Sequence, residues 1–239
     1  MRSATTAYTR PLDIRHGHVD LGHGAGGRSM NQLIADLFVR AFDNPALARG
    51  DDGAVLPAPA EGERLVMATD GHVVSPLFFP GGNIGSLAVH GTVNDLAVMG
   101  ARPLWLAAGF ILEEGFALAD LARIVDAMAA AARTAGVQVV TGDTKVVEKG
   151  KGDGVFITTT GVGALPAGRN PGGAQARPGD AVLVSGTLGD HGMAILAQRE
   201  SLAFESQIVS DSAALNGLVE APYAAVPAEA IHVLRDPTR

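Results

Sequence analysis

RLVMATDGHVVSPLFFPGGNIGSLAVHGTVNDLAVMGARPLWLAAGFI, residues 64–111, reads as strand, helix, strand. RLVMAT (64–69) has the apolar and β-branched content of a buried strand, ending at Asp70-Gly71. From Asn83 to Met99 the residues are mostly apolar and small, as in a buried helix, with Gly100 as its stop. LWLAAGFI (104–111) then gives a second strand, also largely buried.

Outward from this block the pattern continues. Upstream, Met30, Leu33, Ile34, Leu37, Phe38 and Ala41 follow the 3, 4 spacing of one helical face, which predicts a helix over 29–42 capped by Ser29 and stopped by Asn44-Pro45. Residues up to about 20 show no sustained period and read as an extended arm. Downstream, Leu118, Leu121, Ile124, Val125, Met128, Ala129 and Ala132 make the clearest amphipathic helix, ended by Gly136. Strands VQVVT (137–141) and VFITTTGVG (155–163) follow. ALPAGRNPGGAQARPGD (164–180) is dense in Pro and Gly without an apolar period, which marks a linker and a domain boundary. Beyond it AVLVSG (181–186) reads as a strand, TLGDHG as a turn and MAILAQ as the start of a helix. Some 60 residues make a second unit marginal as a domain with its own core.

The 239 residues are 47% hydrophobic, enough for a real core, and carry a formal charge of −7. That balance argues against a nonspecific nucleic-acid binder, which needs a basic face. No run reaches the roughly 18 apolar residues of a membrane span, and the first residues lack a signal peptide's apolar core. A cytoplasmic protein without membrane or nucleic-acid partners is expected. With no cysteine, disulfides, thiolate metal sites and a cysteine nucleophile are excluded within these residues.

Chemistry-bearing residues cluster at small-residue boundaries. DDGAV (51–55), ATDG (68–71), NDLAVMGA (94–101) and TGDTK (141–145) each place an aspartate beside a small residue. Carboxylates that converge in a fold suit a hard divalent cation with substrate phosphates, whereas singly each is an ordinary turn or cap residue. GHGAGGRSMNQLI (22–34) offers backbone N–H groups to an anion and runs into a helix. It is neither GxxxxGK[ST] nor a strand-anchored GxGxxG, so a phosphate loop and a plain turn both stand. Lys145 stands two residues after Asp143, where it can neutralise a transferring phosphoryl group or remain a loop charge. His90 and Asn94 lie one helical turn apart; a satisfied core histidine is the simpler reading of His90. His72 follows the Thr69-Asp70 strand end, and His191 reads as a loop residue that packs or caps.

Taken in order, HGAGGRSMNQLI, DDGAV, ATDGHVVSPLFFPGGNIGSLAVHGTVNDLAVMGARP, VVTGDTKVVEKGKGDG and VSGTLGDHGMAIL resemble the HypE family of hydrogenase maturation factors, from about residue 18 to the end. The wider superfamily of aminoimidazole ribonucleotide synthetase, selenophosphate synthetase and thiamine-monophosphate kinase shares the scattered aspartates but not these strings. A selenophosphate synthetase typically has a cysteine or selenocysteine and a lysine near its glycine loop, and here both are missing.

The resemblance implies an α/β (α+β) fold: an aminoimidazole ribonucleotide synthetase-like N-terminal domain with a mixed sheet and flanking helices, plus an incomplete second α/β domain. Its divisions would be 1–40 (arm, glycine loop, first helix), 41–168 (ATP binding and dimerisation) and 169–239 (linker and incomplete C-terminal domain). It implies a homodimer with ATP near the interface, and ATP with Mg²⁺ as cofactors. The activity implied is dehydration of a C-terminal cysteine thiocarboxamide to a thiocyanate. HypF would be the carbamoyl donor and the HypC–HypD complex the next partner.

Carried onto this sequence, Asp52, Asp70, Asp95 and Asp143 would bind Mg²⁺ and phosphate, with Asp51 able to replace Asp52. Gly24, Ala25, Gly26, Gly27, Thr69, Asn94 and Thr144 would contact the nucleotide, the glycine loop acting as a mobile flap with Arg28 assisting. Lys145 would stabilise charge, and Glu148 and His90 would move protons. Family members continue past DPTR, complete the second domain and end in a cysteine tail. A truncated chain, unable to complete turnover alone or serving only as a nucleotide-binding docking scaffold, is the corresponding expectation.

Overall fold

The computed structural model describes residues 11–200 and 208–237. The elements run α1 (Arg28–Leu33), a π-helical stretch (Ile34–Val39), α2 (Arg40–Phe42), α3 (Pro45–Ala48), β1 (Arg64–His72), β2 (Phe78–Phe79), β3 (Gly82–Asn83), α4 (Ile84–Val98), β4 (Arg102–Glu113), α5 (Leu118–Ala135), β5 (Gln138–Val147), β6 (Val155–Leu165), α6 (Asp190–Arg199) and α7 (Asn216–Ala225). Four strands form a mixed sheet in the order β1-β6-β4-β5. β4 and β5 are parallel, joined through α5, and β6 is antiparallel to both β1 and β4. Strand–helix–strand in 64–111 thus becomes β1-α4-β4, with β6 inserted between the two strands.

α4 forms because Asn83 caps it: its side-chain Oδ1 accepts from Gly85 N (2.8 Å) and Ser86 N (3.2 Å), while Ser86 Oγ accepts from Asn83 N (3.1 Å). Gly100, at φ +79°, ends it, as Gly136 at φ +72° ends α5. α4 is buried nearly all round because the sheet lies on one side and α5 on the other. At Gly85 a Cβ would stand 2.2 Å from the Ile124 carbonyl oxygen, so only glycine lets the two helices approach this closely. Leu121, Ile124, Val125 and Met128 of α5 fill the core with Leu33, Leu37, Ile84, Leu106 and Leu112.

Four expectations change. β1 is an edge strand, not a buried one, and it continues through Asp70-Gly71 to His72; Leu65 is 61% and Met67 73% exposed. β4 alternates, burying Leu106, Ala108, Phe110 and Leu112 and turning the intervening residues outward. AVLVSG forms no strand: Val182 and Leu183 are about 90% exposed, for no strand among the described residues pairs with it. The first helix is capped by the Gly27 backbone, not by Ser29. Of the N-terminal arm, residues 1–10 lie outside the described residues; the rest is docked, with Val19 N donating to Phe116 O (2.8 Å) and Gly115 N to Val19 O (2.7 Å). Thr238 and Arg239 also lie outside them.

Candidate functional site

Two sequence-distant segments meet at the β5 edge of the sheet. Asp20 caps the turn Leu21–Gly24 by accepting from His23 N (3.2 Å), and its own N donates to His23 Nδ1 (3.0 Å). This holds buried His23 in place and presses Gly24 onto β5, where a Cβ would stand 2.6 Å from Val146 N. Ala25, Gly26 and Gly27 follow on the surface, and nothing lies within 4 Å of where a Cβ would be at Gly26 or Gly27. The glycine loop is therefore anchored at Gly24 and open beyond it, beside TGDTK.

Asp143 and Lys145 lie within β5 rather than after a strand end, as alternation on one exposed face requires. Lys145 Nζ is 2.6 Å from Asp143 Oδ2 and 2.7 Å from Oδ1. That ammonium, helped by the Thr144 N–H, holds the Asp143 carboxyl below the usual carboxylate range. Thr144 points the other way and is 4% exposed. With Asp143 it helps wall an apolar recess of about 90 Å³ that Met30, Ile34, Phe38 and Phe110 also line. The π-helical stretch Ile34–Val39 runs along this recess, a local widening that an apolar 3, 4 pattern does not announce.

Asp70 stands at the opposite edge, on β1. Its Oδ1 accepts from Gly71 N (2.9 Å), and its side chain is one-third exposed. β1 and β5 are three strand spacings apart, about 14 Å, so Asp70 and Asp143 of one chain cannot share an ion. Asp52 is exposed on the loop before β1, and Asp51 is paired with Arg49 (2.8 Å). Asp95 is half-buried on α4. Among the described residues no three acidic or histidine side chains gather as a metal cage.

His90 and Asn94 do share a face of α4, but that face is taken. His90 Nδ1 is 2.9 Å from Ser212 Oγ; Asn94 donates to Ala213 O (3.0 Å) and accepts from Leu215 N (2.8 Å). The N–H and the oxygen of the Asn94 side-chain amide both clamp 213–215, and burial pushes the His90 pKa down. The two residues thus dock a segment here instead of facing an open site. Thr69 faces outward on β1, its hydroxyl bonded to Thr159 O (3.1 Å) and Thr160 Oγ1 (2.9 Å). Glu148 is exposed in the β5–β6 connection. His191 packs edge-on against Phe79 and bonds Ser210 Oγ through Nδ1 (2.9 Å).

Two features escape a reading of the sequence. Glu113 accepts from Gly150 N (2.5 Å) and Gly154 N (3.0 Å), so one carboxylate shapes the KGKGDG connection. The Thr run 158–160 hides Thr159, wholly buried, whose hydroxyl ties β6 to α4. A polar triplet in an apolar strand was its one signal.

The AIR synthase related protein N-terminal domain model matches residues 50–165, and the C-terminal domain model of the same family matches 177–239. The carbamoyl dehydratase HypE of Cupriavidus necator is 67% identical over 232 residues, covering 97% of this chain and 65% of that protein. A crystal structure of HypE in complex with ATP superposes with a TM-score of 0.87 at 54% identity, over 92% of this chain and 64% of that one. A HypE–HypF complex gives 0.72 at 54% identity, over 87% and 66%. The chain spans about two thirds of the length of the curated relatives it matches.

Proposed function

The chain belongs to the HypE family of AIR synthase related proteins, and from that premise we propose that it is the ATP-binding, dimerising portion of a cytoplasmic carbamoyl dehydratase serving [NiFe]-hydrogenase maturation. The observation that carries this reading is the seating of Gly24 on β5 at Val146, the strand that also carries the Asp143–Lys145 pair, supported by the ATP complex of a 54%-identical HypE.

The overall reaction is loss of water from a cysteine S-carboxamide, giving a thiocyanate, coupled to ATP becoming ADP and phosphate. An amide oxygen leaves poorly, so the γ-phosphoryl is transferred to it and departs as phosphate with that oxygen, while nitrogen gives up two protons. These residues contain no cysteine, so the carboxamide is supplied from outside them. HypF, named in the complex structure of a relative, is the proposed carbamoyl donor, and HypC–HypD the proposed recipient of the cyano group.

The donor set fits Mg²⁺ with a nucleotide. Asp70 and Asp143 are single, partly exposed carboxylates, the hard oxygen ligands that Mg²⁺ combines with waters and phosphates. When bound, the cation neutralises the phosphates. Asp143 holds Lys145, whose ammonium is placed to neutralise charge on the phosphoryl group or the carboxamide oxygen; Asp143 would be the carboxylate that holds the cation. Gly26 and Gly27 offer backbone N–H groups and Glu148 an exposed carboxylate as proton acceptor, whereas the Thr69 proton is already donated to Thr159 O. Asp52 completes the set only if the loop before β1 closes on the nucleotide, while Asp95 is fixed within α4.

A homodimer reconciles the 14 Å gap. The sheet's outer face, with Leu65 and Met67 on β1 and Ile111 on β4, is apolar and uncovered among the described residues. Two such faces packed about a two-fold axis parallel to the strands set the β1 edge of one copy over β5 of the other, so the proposed site takes Asp143 from one chain and Asp70, at the rim of that edge, from the other. Calorimetric titration with Mg·ATP tests the site: Asp70→Asn and Asp143→Asn should each weaken binding about tenfold or more, about 1.4 kcal/mol per factor of ten. Unchanged binding in both variants contradicts it.

A further inference from the structure

Four places in the chain put glycine directly after an aspartate or asparagine: Asp52-Gly53, Asp70-Gly71, Asp153-Gly154 and Asn216-Gly217. In such a pair the glycine nitrogen can attack the preceding side-chain carbonyl carbon, because no Cβ shields it. The fold decides which of the four is free to do so.

Three are held. Asp70 and Gly71 lie in β1, paired with Thr159 and Thr158 of β6. Gly71 N donates to Asp70 Oδ1 (2.9 Å), so it meets the carboxylate at an oxygen and not at the face of its carbon. Gly154 N donates to Glu113 Oε2 (3.0 Å), a different carboxylate. Asn216 opens α7, and its amide donates to Ala135 O (2.9 Å), which commits the side chain to the end of α5. Asp52-Gly53 is the exception. Both residues are exposed in the irregular loop between α3 and β1. Asp51 is tied to Arg49, whereas among the described residues neither the Asp52 carboxyl nor Gly53 N makes a hydrogen bond or ion pair. Nothing stands within 4 Å of where a Gly53 Cβ would be.

We propose that Asp52-Gly53 is a site of spontaneous modification, at which the folded chain converts aspartate to isoaspartate. Gly53 N forms a bond to Asp52 Cγ while the carboxyl hydroxyl and the nitrogen's proton leave as water, closing a succinimide ring. Water then reopens the ring. Addition at the Asp52 main-chain carbonyl breaks its bond to Gly53 N, so the chain now runs through Cγ and a free α-carboxylate remains; the mass is unchanged and the backbone is longer by the Cβ methylene. That α-carboxylate is the group that an S-adenosylmethionine-dependent isoaspartyl methyltransferase accepts, the methyl passing from the sulfonium to a carboxylate oxygen. A repair enzyme of that class is the corresponding partner, whether or not the loop reaches a nucleotide.

Ageing the whole chain at neutral pH and mapping its peptides by electron-transfer mass spectrometry tests this. Asp52 should form isoaspartate at least about tenfold faster than Asp70 or Asp153 does, or than Asn216 deamidates, because those three react only through local opening. Gly53→Ala should lose most of the product at an unchanged denaturation midpoint, since the added methyl meets no neighbour. In guanidinium chloride the advantage should vanish, with Asp70 and Asp153 reacting as fast as Asp52. No isoaspartate at Asp52, another pair reacting first in the folded chain, undiminished product in Gly53→Ala, or the same advantage for Asp52 in denaturant overturns the proposal.

Discussion

Gly91 makes the tightest single-residue demand around the acidic edge. Adding one methyl there drives it into the His72 ring, which is packed against Thr159 and cannot swing away without breaking that bond. Gly91→Ala should therefore cost about 1–3 kcal/mol, as overpacking does, seen as a lower urea midpoint. An unchanged midpoint contradicts the close packing of α4 on β1. Burial also pushes the His72 pKa down, with Asp70 opposing it only in part, so the ring stays neutral beside its carboxylate. The glycine and aspartate positions were legible in the sequence as residue types. Their partners were not, since Thr159 looks like any strand threonine until β6 is set between β1 and β4.

At the scale of elements, the helix over 28–42, α4 and α5 were readable, α3 and α7 were not, and the strands were only half so. α4 and α5 announce themselves through Asn83, Gly100, Gly136 and a 3, 4 period, all local signals. A strand's burial depends on its neighbours, which is why β1 reads as buried yet lies at an edge, and why 181–186 reads as a strand yet has no partner among the described residues. The α4–α5 contact gives a sharp expectation: Gly85→Ala sets a methyl against the Ile124 carbonyl and should destabilise by about 3 kcal/mol, again read from a denaturant midpoint, with wild-type stability as the contrary result. The β5–β6 connection responds to pH. Bonds from Gly150 and Gly154 N–H lower the Glu113 pKa from its ordinary 4.5. A depressed carboxylate pKa means that the contribution is complete above 4.5 and is lost as pH falls through the lower, folded value. The amide resonances of these two glycines should shift together with a midpoint below 4.5; a midpoint at or above it contradicts the cause.

For the whole molecule, the connection after β6 is not slack. Arg169 pairs with both carboxylate oxygens of Glu220 (2.6 and 2.7 Å), donates to Gly100 O (3.2 Å) and lies 4.0 Å from the Tyr223 ring centroid. Arg169→Ala removes all of these, so limited proteolysis should cut 216–225 faster, while an unchanged digestion rate speaks against the latch. The acidic residues spread along the sequence were visible from composition and spacing, but their division between two sheet edges was not, because it follows from the strand order β1-β6-β4-β5. That division makes the shared site the central claim. The direct measurement is Mg·ATP titration of Asp70→Asn and Asp143→Asn chains, first separately and then after mixing and exchange of subunits. Each variant alone should lack tight binding, and the mixture should regain it, because a mixed dimer holds one site with both aspartates intact. Failure of the mixture to regain binding, with subunit exchange verified, would contradict a site built from two copies.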